Sequence, residues 1–171
     1  MVALGEHSRI AVLEADVPMP ELEAEFGRYG DMFTRLLTDG ATAATLPTPK
    51  VSHWDIVNNP ERYPDPSEFD AILVTGSRIA TWGSQTNEGA GHSAYENDAW
   101  ILKLCEYVKR IYDEYPDRKI IGICFGHQIL ARALGGKVIA NPRGWEIAVR
   151  SVKMAEPAKA IFDLNNSIMV F

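Results

Sequence analysis

The sequence predicts an α/β domain of three layers, a mostly parallel sheet with helices on both faces, and three observations carry that prediction. Short apolar runs rich in β-formers alternate with helically spaced segments along the chain. One of those runs, DAILVTG at 70–76, is apolar without alternation, the pattern of a strand buried on both faces. Another, in KIIGICFGHQILARALGGKV at 119–138, passes through a tight Gly-x-Cys-x-Gly corner straight into a helical stretch closed by two glycines.

Taken in order, SRIAVLEA at 8–15 reads as the first strand, and the acidic, proline-containing DVPMPELE that follows opens a helix near Glu21. Leu22, Phe26, Met32, Phe33, Leu36 and Leu37 keep a broadly helical spacing. Gly27 and Gly30 weaken the middle of that helix by about 1 kcal/mol each relative to alanine, which makes them the place for a break. VSHWDIV at 51–57 is the second strand, NNPERYPDPSEF a proline-rich connection, and 70–76 the third strand. The loop at 77–93 is long for a compact domain, the mark of a functional loop. A strong helix over 95–115 carries Trp100, Ile101, Leu104, Cys105, Val108 and Ile111 on one stripe. The fourth strand is 119–124, the next helix 126–134, and shorter strands are expected at 137–140 and 146–152. A short helix at 156–164 and the start of a strand at 167–171 complete the reading. No repeat, low-complexity segment or linker run divides the chain, so 1–171 is expected to be a single domain.

Composition narrows the function. A chain of 171 residues with 46% hydrophobic and 23% charged residues builds an ordinary globular core. A net charge of −6 argues against a nucleic-acid surface, which would gather lysine and arginine, and so favours a small-molecule or protein partner. No apolar run approaches the roughly 20 residues that span a bilayer, and the N-terminal stretch lacks the layout of a secretion signal. Two cysteines, Cys105 and Cys124, make no disulfide framework. Free thiols fit a reducing compartment, and the expected location is the cytoplasm. A dinucleotide site would need G-x-G-x-x-G after the first strand, where SRIAVLEADVP has none, and no Cys/His cluster has zinc spacing.

The corner at 122–126 is where chemistry concentrates. An apolar strand, Gly122, Ile123, Cys124, Phe125, Gly126 and then a helix is the elbow that projects a nucleophile above a sheet, with cysteine in place of serine. At a helix N-terminus the partial positive charge favours thiolate over thiol, and the thiolate is the attacking species. The blander reading is a buried cysteine in a turn that needs glycine anyway.

These residues resemble the class I glutamine amidotransferase family. G-I-C-F-G-H-Q followed by ILARALGGKV is similar to its nucleophile motif, and the likeness extends to Asp16 with the PELEAEFGRYGDMFTRLL helix, Thr75-Gly76-Ser77 and Gly144-Trp145-Glu146. Within that family the chain is most similar to the GMP-synthase-like amidotransferases and γ-glutamyl peptidases. The resemblance implies a flavodoxin-like fold and cleavage of a γ-glutamyl amide through a cysteine thioester, with no metal or organic cofactor. It implies Cys124 as nucleophile, the Phe125 N–H as one oxyanion donor and the Gly76/Ser77 loop as the other. It implies Gln128 as a contact to the glutamyl group; solvent-facing helix residue is the plainer role. Trp145 and Glu146 could line the same pocket, though such a pair at a strand start more often serves packing and surface charge. Arg78, Trp82 and His92 on the long loop are further candidate contacts, unless that loop is merely a surface excursion.

The family's downstream histidine and acidic residue have no counterpart in this sequence, whose histidines are His7, His53, His92 and His127. His7 and His53 read as structural or exposed, His127 points away from the elbow, and His92 is the candidate for an unorthodox base. SIMVF at 167–171 stops inside an apolar run. Three explanations compete: a stretch of a longer enzyme, a shortened protein that has lost turnover, or a chain completed by another, the last predicting an oligomer. The alternative function is a binding or regulatory protein, or a repurposed pathway enzyme, that keeps the pocket and the thiol without the full triad. A redox-sensing protein with a cysteine at an α/β elbow is a further possibility on fold analogy.

Overall fold

The structure, a computed structural model, describes residues 7–77, 92–142, 150–152 and 168–170. Strands β1 (Arg9–Glu14), β2 (Lys50–Asp55), β3 (Ala71–Val74) and β4 (Lys119–Gly122) form one parallel sheet in the order β2-β1-β3-β4. That order is the flavodoxin-like one, and its topological switch point lies between β1 and β3, whose onward connections run to opposite sides. Right-handed crossovers therefore put the β1-to-β2 helices on one face and the β3-to-β4 helix on the other. The central strands β1 and β3 are buried along nearly their whole length, which explains why their sequences run apolar without alternation.

The helix expected near Glu21 is two helices, α1 (Pro20–Phe26) and α2 (Tyr29–Ala43). The break falls where the glycines put it. Gly27 takes φ 77°, a left-handed value, and a side chain on Gly30 would collide with the His53 ring at 2.4 Å. Charge fixes the corner. Arg28 Nη2 donates to Asp55 at the end of β2 at 2.9 Å and its Nε lies 3.4 Å from the buried Glu14 at the end of β1. Glu14 also accepts the Gly30 N–H at 2.8 Å. Burial works against the Arg28 cation, but its hydrogen bond to Asp55 and the Glu14 and Asp55 charges outweigh it.

Helix α3 (Ala99–Glu114) buries Trp100, Ile101, Leu104, Tyr107, Val108 and Ile111, the stripe predicted from its spacing, with Tyr107 added and Cys105 half-buried. Each such side chain contributes on the order of 1.5–3 kcal/mol by leaving water. Helix α4 (Phe125–Ala133) packs on α3 and on β3 and β4, adding Phe125 and Ile129 to the same core.

The strand expected at 137–140 does not form: Gly135–Gly136 close α4, and the following residues run without a ladder, Val138 against the core and Ile139 exposed. β-propensity needs a neighbouring strand to become structure. The chain divides into two compact units, Met1–Val138 and Ile139–Phe171. In the second, β5 (Arg150–Val152) pairs antiparallel with β6 (Ile168–Val170), where the sequence predicts strand character. The helix expected at 156–164 lies outside the described residues. Among the described residues no helix is long and apolar enough to cross a membrane.

Candidate active site

Val74 and Gly122 are paired across β3 and β4, so the two strands end side by side and their next residues share the carboxyl edge of the sheet. Cys124 sits at this edge as the residue before α4, exposed, at φ 51° and ψ −107°. A side chain seldom adopts that backbone conformation, which costs on the order of 1–3 kcal/mol. The flanking glycines explain how the turn closes. A Cβ on Gly126 would lie 2.3 Å from the Val74 carbonyl oxygen, and one on Gly122 would lie 2.5 Å from the Gly126 backbone. Without side chains at both positions α4 can start directly against the strands, and the cysteine between them is forced outward.

Backbone donors surround the thiol-bearing residue. The carbonyl of Cys124 accepts from the N–H groups of His127 and Gln128, at 3.1 and 3.3 Å. The Phe125 N–H, in the first turn of α4, has no acceptor among the described residues. On the neighbouring strand end, a Cβ on Gly76 would come 3.4 Å from Cys124 Cβ, so the two residues lie side by side with no room to spare. The N–H groups of Gly76 and Ser77 likewise have no acceptor among the described residues. Three N–H groups at these two adjoining strand ends thus have no acceptor among the described residues, and free donors of that kind can receive developing negative charge on a carbonyl oxygen.

Ser77 contributes more than its backbone. Its hydroxyl donates to the buried Asp16 at 2.9 Å and accepts the His92 N–H at 3.0 Å. His92 in turn lays its ring edge-on to Trp100 at 4.8 Å, and Trp100 stacks on Phe125 at 5.6 Å. Asp98 lies 3.6 Å from His92 Nδ1. His92, Glu96 and Asp98 bring potential metal-ligating atoms within 4.8 Å of one another, but local partners already engage the carboxylates: Glu96 accepts the Ser93 N–H.

Of the residues singled out in the sequence, the structure therefore brings Cys124, Phe125, Gly76 and Ser77 together. Gln128 stands one helical turn on, half-buried in α4. Trp145, Glu146, Arg78 and Trp82 lie outside the described residues. His53 packs at Gly30 with Nε2 2.8 Å from Thr34 Oγ1, His7 Nδ1 is 2.7 Å from the Thr48 carbonyl, and His127 is exposed on α4. Sequence reasoning did not give the side chains of Asp16, Thr75 and Trp100 a part in the site. A buried acid at the end of the first strand was the one available signal, and it pointed to no partner.

Comparison with known proteins agrees with this architecture. Residues 94–171 match the family model described as glutamine amidotransferase class-I. A putative glutamine amidotransferase-like protein of Schizosaccharomyces pombe is 36% identical over 157 residues, covering 90% of this chain and 58% of that protein. Gamma-glutamyl peptidase 4 of Arabidopsis thaliana is 41% identical over 138 residues, covering 78% of this chain and 45% of the peptidase. The chain spans about half the length of the curated relatives it matches. The crystal structure of a glutamine amidotransferase from Thermotoga maritima superposes with a TM-score of 0.63 at 18% identity, over 97% of this chain and 60% of that one, which shows the shared fold. On its matched residues, its relatives and its flavodoxin-like sheet, the chain belongs to the class I glutamine amidotransferase family.

Proposed function

We propose that this protein cleaves a γ-glutamyl amide, in glutamine or a γ-glutamyl conjugate, through a thioester on Cys124. The observation that carries the reading is the backbone of Cys124 itself: a non-glycine residue at φ 51° on a strand-to-helix corner whose two flanking glycines admit no side chain. Strain of that kind persists where the surrounding structure holds it, and such positions gather at functional sites. Membership of a family with relatives named gamma-glutamyl peptidases supports the substrate class.

In this mechanism the Cys124 thiolate adds to the γ-carbonyl carbon, and the oxygen takes up the negative charge. The Phe125 N–H and the Gly76/Ser77 backbone receive that oxygen, each donor worth roughly 3–4 kcal/mol to the transition state. The C–N bond then breaks as the amine nitrogen takes a proton from water, and a second water hydrolyses the thioester, releasing glutamate and restoring the Cys124 thiolate. Gln128, half-buried one turn along α4, contacts the glutamyl portion. The chemistry asks for no metal or organic cofactor, the substrate is a small molecule, and the free thiols Cys105 and Cys124 support a cytoplasmic setting.

The test is intact-mass measurement after incubation with a chloroketone analogue of glutamine, whose chloride leaves without needing a proton. One adduct per chain is expected, absent from Cys124→Ala and suppressed by excess glutamine or a γ-glutamyl dipeptide. Labelling that persists in the alanine variant, or none at all, overturns the reading in favour of a protein that binds without reacting.

A further inference from the structure

The Gly76–Ser77 peptide is held from three sides, and none of the holding groups is the nucleophile. Thr75, fully buried, donates its hydroxyl to the Gly76 carbonyl at 2.9 Å and accepts the Ala15 N–H at 3.0 Å, while its own N–H reaches the Leu13 carbonyl. A trans peptide is planar, so fixing the Gly76 carbonyl directs the Ser77 N–H the opposite way. Beyond that peptide, the Ser77 hydroxyl is clamped between the Asp16 carboxylate and the His92 N–H. Asp16 uses its other oxygen on the Val17 N–H at 2.7 Å, which orients the carboxylate from the β1 side. These contacts join the ends of β1 and β3, the two strands that flank the switch point of the sheet.

Resting on the proposed function, we infer that Thr75, Asp16 and the Ser77 hydroxyl are positioning residues that aim the Ser77 N–H as the second oxyanion donor. The physical reason is the cost of a misplaced donor. A backbone N–H is useful to a transition state only if it needs no reorganisation when charge develops, and an error of about 1 Å costs about 100-fold. A loop leaving a strand end has no ladder to orient it. Here side-chain hydroxyls and one buried carboxylate take over the role that a neighbouring strand plays elsewhere. His92 ties the same loop to the other donor, through Trp100 to Phe125, so both halves of the site are fixed relative to one framework.

The experiment compares two reagents on Cys124 in the whole protein. The chloroketone needs the oxyanion donors as its ketone oxygen gains charge, whereas methyl methanethiosulfonate exchanges with the thiolate at sulfur and needs none. Thr75→Val, which keeps the shape and removes the hydroxyl, is expected to slow the maximal chloroketone rate by about 10–100-fold with little change in half-saturation. Its methanethiosulfonate rate stays within a few-fold, and Thr75→Ser restores the chloroketone rate. Ser77→Ala is the second variant, chosen because it removes no buried methyl group, and it shows the same split. An unchanged chloroketone rate in both variants overturns the inference, as does an equal slowing of both reagents, which marks general damage. Failure of the unsubstituted protein to react with the chloroketone is a separate result; it overturns the active-site reading and the inference with it.

Discussion

At the residue scale the candidate site is a balance between strain and use. Cys124 holds a backbone conformation suited to glycine, and nothing in the fold requires a side chain there. Cys124→Gly should therefore stabilise the protein by about 1 kcal/mol in urea unfolding while abolishing labelling by the chloroketone. Gly126→Ala moves the other way. Its Cβ would meet the Val74 carbonyl oxygen at 2.3 Å, a backbone contact that cannot swing aside, and the loss should be about 1–3 kcal/mol. The pair is read in one denaturation series. A destabilised Cys124→Gly would mean that the corner is not strained by its cysteine, and the leading support for the nucleophile reading would be gone.

At the scale of elements, the corner between α1 and α2 is bound to the sheet by charge more than by apolar contact, since α2 buries only Gly30. Burial alone would raise the Asp55 carboxyl, but hydrogen bonds from the Asn58 side chain and N–H and from Arg28 overcome it and hold its pKa below the ordinary 3.8. A folded-state value depressed below the unfolded one gives stability that is complete above the unfolded pKa and is lost as pH falls through the folded one. Asp55→Asn is thus expected to cost about 1–2 kcal/mol at pH 7 and progressively less below about pH 4, where the parent loses the same interaction. Chemical denaturation across that range measures it; a gap that stays constant down to pH 2 would contradict the assignment.

The same elements show what a sequence can and cannot disclose. β1 and β3 are legible because an apolar run buried in a parallel sheet needs nothing beyond its own composition. The break at 27–30 and the elbow at 122–126 are legible because glycine reports a steric demand at its own position. The expected strand at 137–140 fails for the complementary reason: its formation depends on a partner that those residues do not specify. The clamp on Ser77 is hidden for the same cause, as Asp16 and Ser77 are 61 residues apart and nothing local to either names the other. Local sterics are written locally, whereas a hydrogen bond across strand ends exists only once the topology has been chosen.

For the molecule as a whole, the distribution of its core carries a consequence. Among the described residues, the buried apolar cluster runs from Ala11 to Ile129, inside the compact unit Met1–Val138, which also holds the four parallel strands and the elbow. Folding stability is set by apolar area removed from water against the entropy of ordering the chain, and that cluster supplies the apolar burial of this unit. A chain cut after Val138 is therefore expected to fold, with one cooperative urea transition seen alike by tryptophan fluorescence and far-ultraviolet dichroism. The reaction of Cys124 with methyl methanethiosulfonate should stay within a few-fold of the longer chain, because the strand end, the glycines and α4 that shape the elbow are all retained. Non-coincident transitions, or a thiol that reacts at the rate of an unfolded peptide, would show instead that residues after Val138 are needed to hold the elbow. That result would move the origin of the Cys124 strain from its flanking glycines to packing supplied by the second unit.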